Sequence, residues 1–240
     1  MRIHPHMAML AALIVLAPAT AGSRTVRTAH FVISHPDRES AGGLAEALEA
    51  AYGTVRSAGL KLPAQIAVRV HATTTEFAAR SGAGRMHLAG VRGATLHLQP
   101  IGVLRRQPGL DRALAHELVH VALAPAAQRM PRWLSEGVAM TVAGERHPAE
   151  GRFASAAELD RALETARTHQ EARRADAVAG RLARRLGERI GSGRMLAALR
   201  SILGGREAAA AFRDVAGLEL DRWVAAELAD AKAAQKRAPR

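Results

Sequence analysis

His116 and His120 stand four positions apart, with Glu117 directly after the first, in the run His116-Glu117-Leu118-Val119-His120. On a helix, residues four apart sit about 6 Å apart along the axis and on nearly one face. Two imidazoles at that spacing converge on a single cation, and H-E-x-x-H is the helical form of such a pair, its glutamate placed as a base beside the metal. Sixteen positions after His120 comes Glu136, inside Pro131-Arg132-Trp133-Leu134-Ser135-Glu136-Gly137. Catalytic zinc takes three protein ligands and keeps a fourth position for water, and Glu136 is the candidate third ligand. The chemistry of such a set is hydrolysis by activated water, with no covalent intermediate. The chain has no cysteine, which excludes a cysteine nucleophile. Ser135 lacks the surroundings of a nucleophile elbow and reads as an ordinary helix-start hydroxyl.

Two helices must position these groups. Leu110 to Ala124 is rich in Ala and Leu, has no internal Gly or Pro, and is bracketed by Gly109 and Pro125. Leu114, Leu118 and Val121 recur at three- and four-residue steps and form an apolar face, with His116 and His120 on a separate stripe. Met130 to Ala139 reads as the second helix. Pro131 suits its start, Trp133 and Leu134 dock it, and Gly137 lets it approach the first helix closely.

HELVH followed by PRWLSEGVA resembles the gluzincin metallopeptidases, most closely the peptidase MA-like domain family, with its HELxH helix and PxWLxEGxA helix. Thr28 to Ile33 is similar to that family's opening strand. Leu186 to Gly191, Leu203 to Gly205 and Ala211 to Gly217 are similar to its C-terminal helical segment. The resemblance runs from Thr28 to about Ala229. It implies one Zn2+ held by His116, His120 and Glu136, with Glu117 as general base in peptide-bond hydrolysis of a peptide or protein substrate. Some gluzincins carry an acid one turn after the glutamate ligand, bonded to a ligand histidine. Here that position is Met140, a departure that weakens the case for activity. It leaves open a rival, a catalytically inactive module of the same fold that binds peptide or an anionic envelope polymer. A third reading is a basic nucleic-acid or polyanion binder with an incidental H-E-x-x-H. Related enzymes also place a Tyr or His against the developing oxyanion. The only tyrosine, Tyr52, lies in an early amphipathic helix and reads as packing, which leaves His147, His169, Arg173 and Arg174 as candidates.

The pattern before the metal helix alternates strands and helices. Phe31 to Ile33, Gln65 to Val70 and Thr95 to Leu98 read as strands, and Ser40 to Ala58 and Thr74 to Arg80 as helices. In the implied fold the last strand borders the cleft, so Thr95, Leu96, His97 and Leu98 are candidates to pair with substrate backbone. Gly82, Gly84, Gly90 and Gly93 before it read as a loop without the order of a phosphate-binding loop. From Ala154 the chain reads as helical, broken at Gly191-Ser192-Gly193 and Gly204-Gly205. The expected class is α+β. Residues 22–128 form an α/β lobe ending in the metal helix, 129–230 a helical lobe carrying the glutamate ligand, and 231–240 a basic tail.

Residues 1–21 combine Arg2, an apolar run from Met7 to Ala17 and the small residues Ala19-Thr20-Ala21, the pattern of a secretory signal peptide. The run is shorter than the roughly 20 residues of a membrane span. Export to the periplasm or medium is expected, with an uncleaved anchor as the alternative. A net charge of +12 invites a nucleic-acid reading. Aromatic residues make up only 3% of the chain, so stacking platforms are scarce. No nucleic-acid motif appears, and an export signal separates the protein from the genome. Anionic envelope surfaces suit the charge better.

Overall fold

The computed structural model describes residues 22–36, 40–85, 87–147 and 151–237. The expected signal peptide and the end of the basic tail lie outside them. The chain forms the α+β fold expected, a mixed sheet followed by a helical part. The strands are β1 (Ser23–Arg27), β2 (Phe31–Pro36), β3 (Ile66–Val70), β4 (Ala89–Arg92) and β5 (Thr95–Leu98). They lie in the order β1-β2-β3-β5-β4. β2, β3 and β5 run parallel, and β1 and β4 are antiparallel to their neighbours at the two ends. β1 was not foreseen, and β4 occupies part of the glycine-rich stretch expected as a loop. It is only four residues long and contains Gly90, so it has no alternation to recognise.

The helices of this lobe are α1 (Gly42–Ser57), α2 (Thr74–Ser81), the short α3 (Ile101–Leu104) and α4 (Leu110–Leu123). Leu96 and Leu98 join Ile33, Val68 and Val70 in the main core, which also takes in buried residues of α1 and α4. Such rows of β-branched and Leu residues are what a covered parallel sheet requires. Tyr52 packs as expected, stacked on His30 at 3.8 Å and edge-on to Phe31.

α2 lies over the other face. Beneath it Phe77 sits edge-on to His71, and His71 Nε2 is 2.9 Å from His97 Nδ1. Both rings are buried. Burial pushes His97 down to about 4, helped by the positive charges nearby. It also lowers His71, against the pull of Glu76. Both histidines are therefore neutral at pH 7.

The helical part comprises α5 (Arg132–Val142), α6 (Ala156–Thr165), α7 (His169–Ile190), α8 (Ser192–Leu203), α9 (Ala208–Ala216) and α10 (Leu220–Arg237). A 3-10 segment, Ala124–Arg129, joins α4 to α5. The foreseen glycine breaks fall where α7 and α8 end. Thr168 and Glu171 start α7 with a capping box, which satisfies two otherwise free backbone donors. One continuous core of buried apolar side chains runs through both lobes.

Gly137 differs from expectation. The open side it leaves faces α7 rather than α4. A Cβ there would stand 2.4 Å from the Ala179 carbonyl oxygen and 2.7 Å from Ala183 Cβ, so only glycine permits the close approach of α5 to α7.

The buried His71–His97 pair makes stability pH-dependent. His97 has a folded pKa of about 4 against about 6.5 unfolded, so the unfolded chain takes up its proton first as pH falls. This contribution is complete above pH 6.5 and is lost as pH drops towards 4. Between pH 7 and 4.5, wild type should lose about 2 kcal/mol more unfolding free energy than His97→Leu. Urea titrations of both proteins across that range would show it, and parallel curves would contradict it.

Candidate metal centre

α4 turns Leu114, Ala115, Leu118, Val119, Ala122 and Leu123 into the core, which leaves His116 and His120 on the side that meets α5. α5 has no side-chain cap of its own, since its N-cap residue is Pro131. Asp160 from α6 fills the role, its Oδ1 accepting from the Trp133 backbone N–H at 2.7 Å. Burial raises the Asp160 pKa, against the backbone N–H bonds that favour its charge. One turn on from Trp133, Glu136 enters the space beside the two histidines.

A single carboxylate oxygen meets both rings. Glu136 Oε2 lies 3.3 Å from His116 Nε2 and 3.2 Å from His120 Nε2. One ligand atom from each of the three residues lies within 4.8 Å of the others, so the set can hold a metal ion. The side chains of His116 and Glu136 are 15% and 14% exposed, so the group is mostly buried yet reachable. Burial works against a charged His116, but the Glu136 and Glu145 carboxylates outweigh it and raise its pKa well above the usual value. Burial likewise opposes ionisation of Glu136, and the two histidines outweigh it, holding the carboxyl well below its usual range. Charge pairing thus holds the donors together, and a metal entering the set would compete with the His116 proton.

Each histidine is also held from behind. His116 Nδ1 is 3.2 Å from Glu145 Oε2, and His120 Nδ1 is 3.2 Å from Ser135 Oγ. Such partners fix ring orientation and leave Nε2 to the metal. Both were missed in the sequence. Ser135, read as a helix-start hydroxyl, is a partner of His120. The acid sought at position 140 comes instead from Glu145. Met140 is fully buried, with its sulfur against Gly180 of α7. Glu145 reaches His116 because α5 ends in a Schellman motif. Glu145 N–H donates to the Met140 carbonyl at 2.9 Å and Gly144 N–H to the Thr141 carbonyl at 3.3 Å, with Gly144 at φ +67°. Gly144 followed directly by an acid was the available signal.

Glu117 follows His116 on α4, is partly exposed and makes no hydrogen bond or ion pair among the described residues. Of the four oxyanion candidates, one lies near the centre. Burial lowers the pKa of His147, with Glu145 opposing and Arg173 and His116 adding to the shift, so His147 stands within electrostatic reach of His116, and Arg173 within reach of His147. His169 and Arg174 are exposed on the first turns of α7, and neither makes a side-chain hydrogen bond or ion pair with the centre among the described residues. Asp176, also on α7, was missed. Its carboxyl is pushed up to about 7, first by burial and then by Glu136 and Glu145.

The expected substrate strand is corrected. Thr95–Leu98 pairs with β3 on one side and β4 on the other, so its main chain has no free edge. Leu96, His97 and Leu98 are buried. The end strand is β4, which packs beside α4. No protein-family model matches this chain, and no curated protein matches it.

Removing the Glu145 carboxylate should lower zinc affinity about 10–100-fold. Competition between a chelator and Glu145→Ala, with circular dichroism to confirm the fold, measures it. An affinity within twofold of wild type would show that the contact does not orient His116.

Proposed function

We propose that this protein is a zinc metallopeptidase of gluzincin type. The observation that carries the reading is the convergence of His116 Nε2, His120 Nε2 and Glu136 Oε2 within 4.8 Å. Two imidazole nitrogens and a carboxylate oxygen, without sulfur, suit a catalytic zinc site with an open position. His116, His120 and Glu136 would hold the ion. Zinc bound there would supply Lewis acidity and lower the pKa of a water towards 7.

The remaining work falls to the chain's own groups. Glu117 accepts a proton from the attacking water and passes it to the leaving amine. Glu145 and Ser135 keep the histidines turned so that Nε2 faces the reaction. His147, the oxyanion candidate within electrostatic reach of His116, would balance negative charge on the scissile carbonyl oxygen. The outer edge of β4 offers backbone groups to an extended peptide, which makes β4, not Thr95–Leu98, the candidate substrate strand.

The rival reading, a binding module without turnover, drew on Met140. Glu145 on His116 removes that ground, so the hydrolytic reading is preferred. Export, with residues 1–21 as the leader, and an affinity for anionic envelope surfaces belong to the same proposal and rest on the sequence.

The test is hydrolysis of a mixed peptide library by zinc-loaded protein alongside Glu117→Gln. Wild type should cleave. The variant should retain about one zinc per chain and lose about 10²–10⁴-fold in rate. Equal turnover by both proteins would remove Glu117 from the mechanism. Zinc binding without cleavage by wild type would favour the binding module.

A further inference from the structure

A cavity of about 200 Å³ lies between α6, α7 and α10, and none of its lining residues belongs to the metal centre. The segment that leads into α6 runs along it. Gly151 lays this segment on α7: a Cβ there would stand 2.9 Å from the Arg174 carbonyl oxygen and from Val178 Cγ2, and 3.0 Å from Phe153 Cε2. Phe153, Leu228 and Ala231 give the cavity an apolar wall, and Arg152, Arg181 and Glu158 supply charge. The volume falls below the roughly 300–1,000 Å³ of drug-sized sites, so the occupant is one small molecule.

Two of the charged groups have opposite sign and spare bonding capacity. Arg181 is half-buried and makes no hydrogen bond or ion pair among the described residues. Burial, then the charge of Arg185, lowers its pKa. The Glu227 carboxylate, which favours its charge, is bonded to Arg185 at 2.5 Å. A guanidinium is a planar fork of five donors that matches a carboxylate, and removing it from water without a partner is costly. Glu158 uses one oxygen at the start of α6, where Oε2 accepts from the Ala154 N–H at 2.6 Å. Its Oε1 has no hydrogen-bond partner among the described residues.

A fork for a carboxylate, an acceptor for an ammonium and an apolar wall are together the recognition elements of an apolar α-amino acid. A simple anion would meet like charge on Glu158, and an uncharged apolar molecule would leave Arg181 unpaired. We propose that this cavity binds a free α-amino acid of about leucine size. Its carboxylate sits on Arg181, its ammonium on Glu158 and its side chain against Phe153 and Leu228. Such amino acids are released by peptide hydrolysis, so with the peptidase reading above the cavity becomes a product-binding site apart from the metal. The binding itself does not depend on that reading.

The test is a chemical-shift titration of the full chain, zinc-free and zinc-loaded. The probes are L-leucine, isocaproate, isoamylamine, glycine and inorganic phosphate. Leucine should bind at least about tenfold more tightly than the others, each of which lacks one or more of the contacts. Arg181→Gln should lose about tenfold for leucine and isocaproate and leave isoamylamine unchanged. Glu158→Gln, whose amide oxygen still accepts from the Ala154 N–H, should lose about tenfold for leucine and isoamylamine and leave isocaproate unchanged. Ala231→Phe fills the cavity without removing a charge and should abolish binding, with circular dichroism confirming the fold. Isocaproate or phosphate binding as tightly as leucine would overturn the amino-acid assignment. Leucine binding that survives Arg181→Gln would place the ligand elsewhere, on the metal if it requires zinc, and would also overturn the proposal. So would the absence of saturable leucine binding, while Glu117-dependent hydrolysis of the peptide library would still stand. Leucine binding lost in Arg181→Gln by a chain that cleaves no peptide would uphold the cavity site and remove the peptidase reading.

Discussion

The contact on which the rest depends is one carboxylate oxygen shared by two imidazoles. Glu136 Oε2 stands just over 3 Å from Nε2 of both His116 and His120, although these groups come from helices separated by a 3-10 segment. Holding them there takes three further elements. α6 lends Asp160 to the uncapped start of α5, which fixes the turn that precedes Glu136. α7 lies flush against Gly137 and sets the depth of α5. The turn after α5 returns Glu145 to the far side of His116. The sheet is a platform for α4, and the helical part is a clamp on α5.

The electrostatics follow from that geometry. In this mostly buried place the Glu136 and Glu145 carboxylates favour a charged His116 and the two histidines favour a charged Glu136, which is why His116 rises and Glu136 falls in pKa. The His71–His97 pair on the other side of the sheet shows the opposite regime. There burial outweighs Glu76, and both rings are driven neutral. The same residue type is thus held in two protonation states within one lobe, according to whether carboxylates or apolar walls dominate.

Much of the centre was legible because helical spacing is rigid. H-E-x-x-H fixes two rings by periodicity alone, and the α4 and α5 boundaries fell within a few residues of those expected from Pro and Gly. The groups behind the histidines were not legible. Glu145 reaches His116 through a left-handed glycine turn, not at a periodic offset. Ser135 bonds a histidine fifteen positions earlier, and nothing in local sequence marks that contact. The expectation of a free edge at Thr95–Leu98 failed for a related reason. The four-residue, glycine-containing β4 carries almost no strand signal, so β5 seemed to lie at the edge that β4 in fact occupies.

The most direct test of the ligand set is zinc K-edge X-ray absorption on protein loaded with one equivalent of zinc, compared with His120→Ala. The expected result for wild type is two imidazole nitrogens and carboxylate or water oxygens at about 2.0–2.2 Å. The variant should lose one imidazole. A wild-type chain that binds no zinc, or whose spectrum shows no imidazole or is unchanged by the substitution, would contradict the assignment of His116, His120 and Glu136.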